Sequence, residues 1–302
     1  MNTKVKVGIL VLVFAAAARF FGIDQALIKE LIGDIEQTEQ SEETKKQNKN
    51  TNLGKLKNYF PTVNLGDTIG YGNFFTLSYS KNHRQAEWVA YELAAENLVK
   101  EDFDRSSTFK TDERVEPEFQ VKHSDYTSSG FDRGHLAPAA DFSWNKEGIE
   151  TTFFTTNISP QEPQFNRGIW KKLESHVRGW AIQYGHLYVV TGPILTERAK
   201  KRFPKEKNYI AVPQRYYKVL LNYVDDKPIA IGFILKNEDS QNHLSTFVVS
   251  IDEIEKITGI DFFSELPDDL ENKLEAGTNL TDWGLDAMSR STYFEYDSSK
   301  VQ

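Results

Sequence analysis

The chain has 302 residues, enough for one large domain or two small ones, and a 39 % hydrophobic, 13 % aromatic composition supplies a sizeable core. The absence of cysteine excludes disulfides, thiolate metal sites and a cysteine nucleophile. A formal net charge of −8 excludes a uniformly basic coat, so any contact with polyphosphate has to be a local basic groove on an acidic body.

In chain order, Lys4 and Lys6 precede an apolar run at residues 7–18 that ends in four alanines, the pattern of an export signal or N-terminal membrane anchor. Twelve residues are short for a membrane span, which needs about 20. Phe20, Phe21 and Ile23 extend the run past Arg19, so a cleaved signal and a retained anchor both stay open over residues 1–23. Residues 24–55 form a tether, because the stretch at 34–52 is almost wholly polar and cannot offset its ordering entropy. The globular domain is expected at 56–289, followed by a C-terminal tail at 290–302 with little to bury. Such an N-terminus predicts an exported protein, periplasmic or in the cell envelope, either anchored through this segment or secreted.

Within the domain, residues 74–79 and 86–93 read as strands, the second alternating Trp88 and Ala90 with Val89 and Tyr91. The β-branched and aromatic run at 151–156 is expected to be a buried strand, and further strands are expected at 186–191, 216–224 and 228–235. Ser250 with Glu253 three residues on marks a capped helix that Gly259 closes. Strands interrupted by a few helices, without βαβ regularity, predict an α+β fold with a mostly antiparallel central sheet flanked by helices.

Residues 165–184 carry a helical pattern, preceded by Pro160 and Pro163 and ended by Gly185. Asn166, Trp170, Leu173 and Val177 share one face of that helix. An asparagine at the head of an apolar stripe needs a partner; helix capping is the plain explanation, and a metal ion is the other. Glu174 and Arg178, four apart, read equally well as an ordinary surface pair. About 12 Å of helix rise separates Asn166 from Glu174, so a carboxylate holding a metal-bound water is easier than joint direct ligation. Charge is uneven along the chain. Arg167, Lys171, Lys172 and Arg178 outnumber Glu174 at 163–178, whereas Asp261, Glu265, Asp268, Asp269, Glu271 and Glu275 outnumber Lys273 at 261–275.

The densest chemistry lies at residues 131–138, Phe-Asp-Arg-Gly-His-Leu-Ala-Pro. Arg133 can clamp phosphate bidentately, Gly134 permits close backbone approach, and Pro138 stiffens the chain past His135. An imidazole near its unperturbed pKa of about 6.5 is a suitable base at neutral pH. The remaining histidines of the six (His83, His123, His176, His186 and His243) have no such surroundings, and His176 is read as solvated. Taken alone, Asp-Arg-Gly-His is also a pattern that salt-bridged loops display.

This block, followed by Asn157-Ile-Ser-Pro-Gln161, by Asn166-Arg-Gly-Ile-Trp-Lys-Lys-Leu-Glu174 and by Thr258-Gly-Ile-Asp-Phe-Phe263, resembles the DNA/RNA non-specific endonucleases. These are the endonuclease-G-like branch of the ββα-metal, or His-Me finger, nucleases. The resemblance spans about residues 58–265. It implies a ββα-metal motif and a sugar-non-specific endonuclease acting on DNA and RNA. His135 would be general base and Asn166 ligand to Mg²⁺, with Mn²⁺ as a substitute. Mg²⁺ suits a site with one protein ligand, since it prefers oxygen and gives up water reluctantly. Arg133, Arg178 and Arg105 would neutralise charge on the phosphate, with Glu174 holding metal-bound water. Asp132, Asn157 and Gln161 would support the site, and Arg167, Lys171 and Lys172 would meet the nucleic-acid backbone. Arg167 stands where the family often has glutamine. Members often dimerise. Two competing readings are an exported nucleic-acid-binding protein that does not cut, for which His135 and Asn166 would be superfluous, and a phosphodiesterase for small substrates.

Overall fold

A computed structural model describes residues 60–99, 103, 108–199, 201–203, 209–223 and 227–286. The expected signal or anchor at 1–23, the tether at 24–55, Arg105 and the tail at 290–302 lie outside the described residues.

Seven strands make one antiparallel sheet in the order β1-β2-β3-β6-β9-β10-β11. They are β1 (Asp67–Tyr71), β2 (Phe75–Ser80), β3 (Gln85–Ala94), β6 (His186–Pro193), β9 (Arg215–Asn222), β10 (Ile229–Lys236) and β11 (Val248–Val249). Two short antiparallel pairs stand apart from it, β4 (Asp132–His135) with β5 (Ile158–Gln161) and β7 (Lys201–Phe203) with β8 (Ile210–Val212). The five helices used below are α1 (Ala95–Leu98), α2 (Lys146–Thr152), α3 (Lys171–Tyr184), α4 (Ile251–Thr258) and α5 (Asp268–Glu275). The α+β class and the antiparallel sheet agree with the sequence reading.

The period of two along the strands assigns each side chain to a face. Val89, Tyr91, Leu187, Val189, Leu220, Ile231 and Phe233 face Trp170, Leu173, Val177 and Trp180 of the long helical segment. Their neighbours Trp88, Ala90, Tyr188, Val190, Val219 and Leu221 face Ile251, Ile254, Phe262, Phe263 and Leu266. Both faces of the sheet are therefore buried, with α3 on one side and α4 and α5 on the other. Trp283 and Leu285 complete the first core, where Trp180 Nε1 donates to the Trp283 carbonyl at 3.0 Å. The helix predicted behind Ser250 forms as expected: Ser250 Oγ accepts from Glu253 N at 3.2 Å, and Gly259 ends it at φ 72°.

The run at 151–156 is buried but is not a strand. Asn145 Oδ1 accepts from Gly148 N at 3.0 Å and starts α2, whose last residues are Thr151 and Thr152. Their hydroxyls donate back to the carbonyls of Gly148 and Ile149, each at 2.7 Å. These bonds satisfy the threonines inside a helix and override their strand preference. Residues 153–157 then turn through a buried 3₁₀ step that leads directly into β5. Among the described residues no helix is long and apolar enough to cross a membrane.

Candidate active site

The β4–β5 pair sets Asp132 opposite Gln161, Arg133 opposite Pro160, Gly134 opposite Ser159 and His135 opposite Ile158. From β5 the chain passes through Glu162 into a helical turn at Pro163–Phe165, a π turn at Asn166–Trp170 that kinks at Gly168, and then α3. Two strands and a helix form one continuous unit. It is fastened to the main sheet through β5: Tyr216 donates to the Pro160 carbonyl at 2.9 Å, and Asn237 Nδ2 donates to the same carbonyl at 3.1 Å. Asn237 Oδ1 also accepts from Glu162 N at 2.8 Å, which fixes the point where strand becomes helix.

Alternation along β4 puts Arg133 and His135 on one side and Asp132 and Gly134 on the other. Arg133 and His135 share an aromatic wall. The Phe109 ring lies 5.6 Å from the imidazole and 5.7 Å from the guanidinium, and Phe153 meets the imidazole edge-on at 4.7 Å. Arg133 also lies over Tyr126 at 5.6 Å and donates from Nη2 to the His123 carbonyl at 3.1 Å. Rings on two sides limit how far the imidazole can turn.

On the other side of β4, a Cβ at Gly134 would stand 2.1 Å from Gln161 Oε1, so only glycine leaves room for that amide. Gln161 is fully buried, and neither end of its amide has a hydrogen-bond partner among the described residues. Asn157 is the opposite case. Its Oδ1 accepts from Ala137 N, and its Nδ2 donates to the carbonyls of Ala137 and Thr152, all at 2.9 Å. Leu136 N further donates to the Asn157 carbonyl at 3.0 Å. Asn157 clamps the chain just past His135, with both of its amide N–H donors engaged.

Asn166 lies inside the helical run, with φ −58° and ψ −46°, and its N–H bonds the Glu162 carbonyl at 2.9 Å, so it does not act as a helix N-cap. Its Nδ2 donates to Asp132 Oδ2 at 3.0 Å. The same carboxylate takes a two-pronged bond from Arg167, at 2.8 and 2.7 Å. Asp132 thereby ties the strand that carries His135 to the helix that carries Asn166, and leaves the Asn166 amide oxygen turned away from it. Arg167, exposed beside the site, is engaged with Asp132, whereas Lys171 and Lys172 are exposed on the first turn of α3.

Beneath α3 is a buried charge network. Arg178 Nη1 donates to Asp141 at 2.9 Å and Nη2 to Ser175 Oγ at 3.2 Å, and Tyr91 OH donates to Asp141 at 2.7 Å. With its side chain 13 % exposed, Arg178 belongs to this network and is not an open phosphate clamp. Burial opposes its charge, but Asp141 and Glu174 outweigh burial and hold its pKa above the ordinary value. Lys218, fully buried on β9, places Nζ 4.8 Å over the Trp170 ring, and Nζ has no hydrogen-bond partner among the described residues. Burial pushes its pKa down to about 8, against the pull of Glu174 and Asp141. His176 is half-buried with its ring edge-on to Trp180 at 5.7 Å, which corrects its reading as solvated. Asp141, Lys218, Phe109 and Phe153 were not candidates from sequence. None belongs to a local motif: Phe109 and Lys218 come from distant parts of the chain, and Asp141 and Phe153 take their place only once the turns beside His135 and Asn157 form.

Residues 55–269 match the family model described as DNA/RNA non-specific endonuclease. Human mitochondrial endonuclease G is 34 % identical over 198 residues, which cover 62 % of this chain and 67 % of that one. Nuclease C1 of Cunninghamella echinulata is 36 % identical over 204 residues, 64 % of this chain and 81 % of that one. Among solved structures, EndoG in complex with EndoGI superposes with a TM-score of 0.64 at 32 % identity, covering 72 % of this chain and 93 % of that chain.

Proposed function

Because this chain belongs to the DNA/RNA non-specific endonuclease family, we propose that it hydrolyses DNA and RNA at the β4–β5–α3 unit, with His135 as general base and Asn166 as ligand to Mg²⁺. The observation that carries the reading is the Asp132–Asn166 bond, which joins the base's strand to the ligand's helix. Lack of sequence preference follows from contacts confined to phosphate, sugar and metal.

The residues present fit a hard cation. The donors are the amide oxygen of Asn166 and the carboxylate of Glu174, and Gln161 adds a buried amide bonded at neither end. An ion held by Asn166, with Glu174 reached through water, would supply positive charge to the phosphate and its leaving oxygen. His135 takes the proton of the attacking water, whose oxygen bonds to phosphorus as the bond to the 3′ oxygen breaks. Arg133, on the same side of β4, offers its guanidinium to the phosphate oxygens. Asp132 and Asn157 position these groups without touching substrate. Arg178 acts through Glu174, since its own guanidinium is bound to Asp141.

Purified protein is expected to nick plasmid and degrade RNA with Mg²⁺, and to lose both activities in chelator. Retention of nucleic acid on the protein without any nicking would favour the binding-only reading; cleavage restricted to mononucleotide esters would favour the small-substrate one. We propose export as well, on the strength of Lys4, Lys6 and the apolar run at 7–18. Protease added to cells whose outer membrane has been opened should then reach the domain, and a domain protected in the cytosol would overturn that placement.

A further inference from the structure

We propose that Asp252, Glu255 and Glu275 form a second, calcium-binding site on the face of the sheet opposite α3, holding α5 against α4. One carboxylate oxygen from each residue lies within 4.8 Å of the others. Three oxygens spread evenly around Ca²⁺ stand about 4.0–4.5 Å apart, against about 3.5–3.6 Å around Mg²⁺, so oxygens up to 4.8 Å apart have less far to close on the larger ion.

The second observation is Glu275 itself. It is 5 % exposed, and its Oε1 has no hydrogen-bond partner among the described residues. A buried acceptor of this kind costs stability unless something binds it. Glu275 is also the last residue of α5, where the partial negative charge of the helix end opposes a carboxylate and welcomes a cation. Asp252 and Glu255 lie three apart on one face of α4. Glu255 Oε1 accepts from Phe262 N at 2.7 Å, which fixes its direction. The charged neighbours acting on Glu255 and Glu275 are further acids, Asp261 and Glu271. Three carboxylates and no nitrogen or sulfur donor make a hard-cation set.

The test uses the full chain freed of metal by chelation, then titrated with Ca²⁺. Wild type is expected to bind Ca²⁺ by calorimetry and to gain about 5 °C in melting temperature at saturation. Asn166→Ala should keep that gain, which separates this site from the catalytic one. Asp252→Asn, at an exposed position, and Glu275→Gln should each weaken Ca²⁺ binding at least tenfold and lose the gain, while cutting plasmid with Mg²⁺ at the wild-type rate. A wild type whose melting is indifferent to Ca²⁺ and chelator overturns the proposal. So does a gain that survives in Asp252→Asn and Glu275→Gln, or one that vanishes in Asn166→Ala.

Discussion

At the scale of single residues, His135 differs from the other histidines by what faces it, not by its own chemistry. His135→Ala is expected to lower cleavage by about 10²-fold or more with an unchanged melting curve, whereas His176→Asn should leave the rate near wild type. Near-normal cleavage by His135→Ala would refute the assignment. Asp132→Asn keeps the side-chain volume but loosens the hold on Asn166 and Arg167, so metal affinity should fall by about 10–100-fold in calorimetry. The sequence singled out Asp132, His135 and Asn166 because they sit in contiguous motifs. It was silent on Lys218, whose neighbours come from α3 and from the 3₁₀ turn at Ala139–Phe142. Lys218 also yields a pH signature. Its pKa is lowered in the folded chain, so between about pH 8 and 10.5 the unfolded chain holds a proton that the folded chain has released. Stability of wild type relative to Lys218→Met should therefore rise with pH across that window, by up to about 1.4 kcal/mol per pH unit, and be flat below it. Urea unfolding at a series of pH values reads this directly; a fall with pH would contradict the buried, unbonded placement of the amine.

At the scale of elements, regular patterns were legible and irregular ones were not. Strands β2, β3, β6, β9 and β10 and helix α4 were readable because each carries one period from end to end, with caps where α4 starts and stops. The 151–156 segment failed because threonine's strand preference is local, while its hydroxyl bonds to Gly148 and Ile149 appear only once α2 exists. The kink at Gly168 was equally invisible, since a π turn changes which residues share a face without changing composition. The join between α2 and β5 depends on Asn157. Asn157→Leu leaves the Ala137 N–H and two carbonyls without their partners, so unfolding free energy should drop by about 3 kcal/mol or more. Activity should fall beyond what the lost stability explains, because the clamp sits directly behind His135. A variant as stable as wild type would show that the clamp is dispensable.

At the scale of the molecule, the α+β class was legible but the strand order was not, because pairing β3 with β6 spans the entire ββα unit, which no local pattern encodes. The sequence did show charge concentrated in two stretches, and the fold places them on opposite faces of one sheet. Lys171→Ala with Lys172→Ala should reduce the slope of log affinity against log salt by about 2 for long DNA, whereas Asp268→Asn with Asp269→Asn should leave it unchanged. Equal slopes for the two double variants would place the nucleic acid elsewhere. A cationic helix face backed by an anionic one gives the described domain a dipole. Near a polyanion such a body feels a torque as well as a force, so it turns before it touches, and collisions that begin with the acidic side forward are reoriented. That rotation works only within the Debye length, about 10 Å at 0.1 M salt, so raising salt should cut the fraction of productive encounters even where the final complex is unchanged.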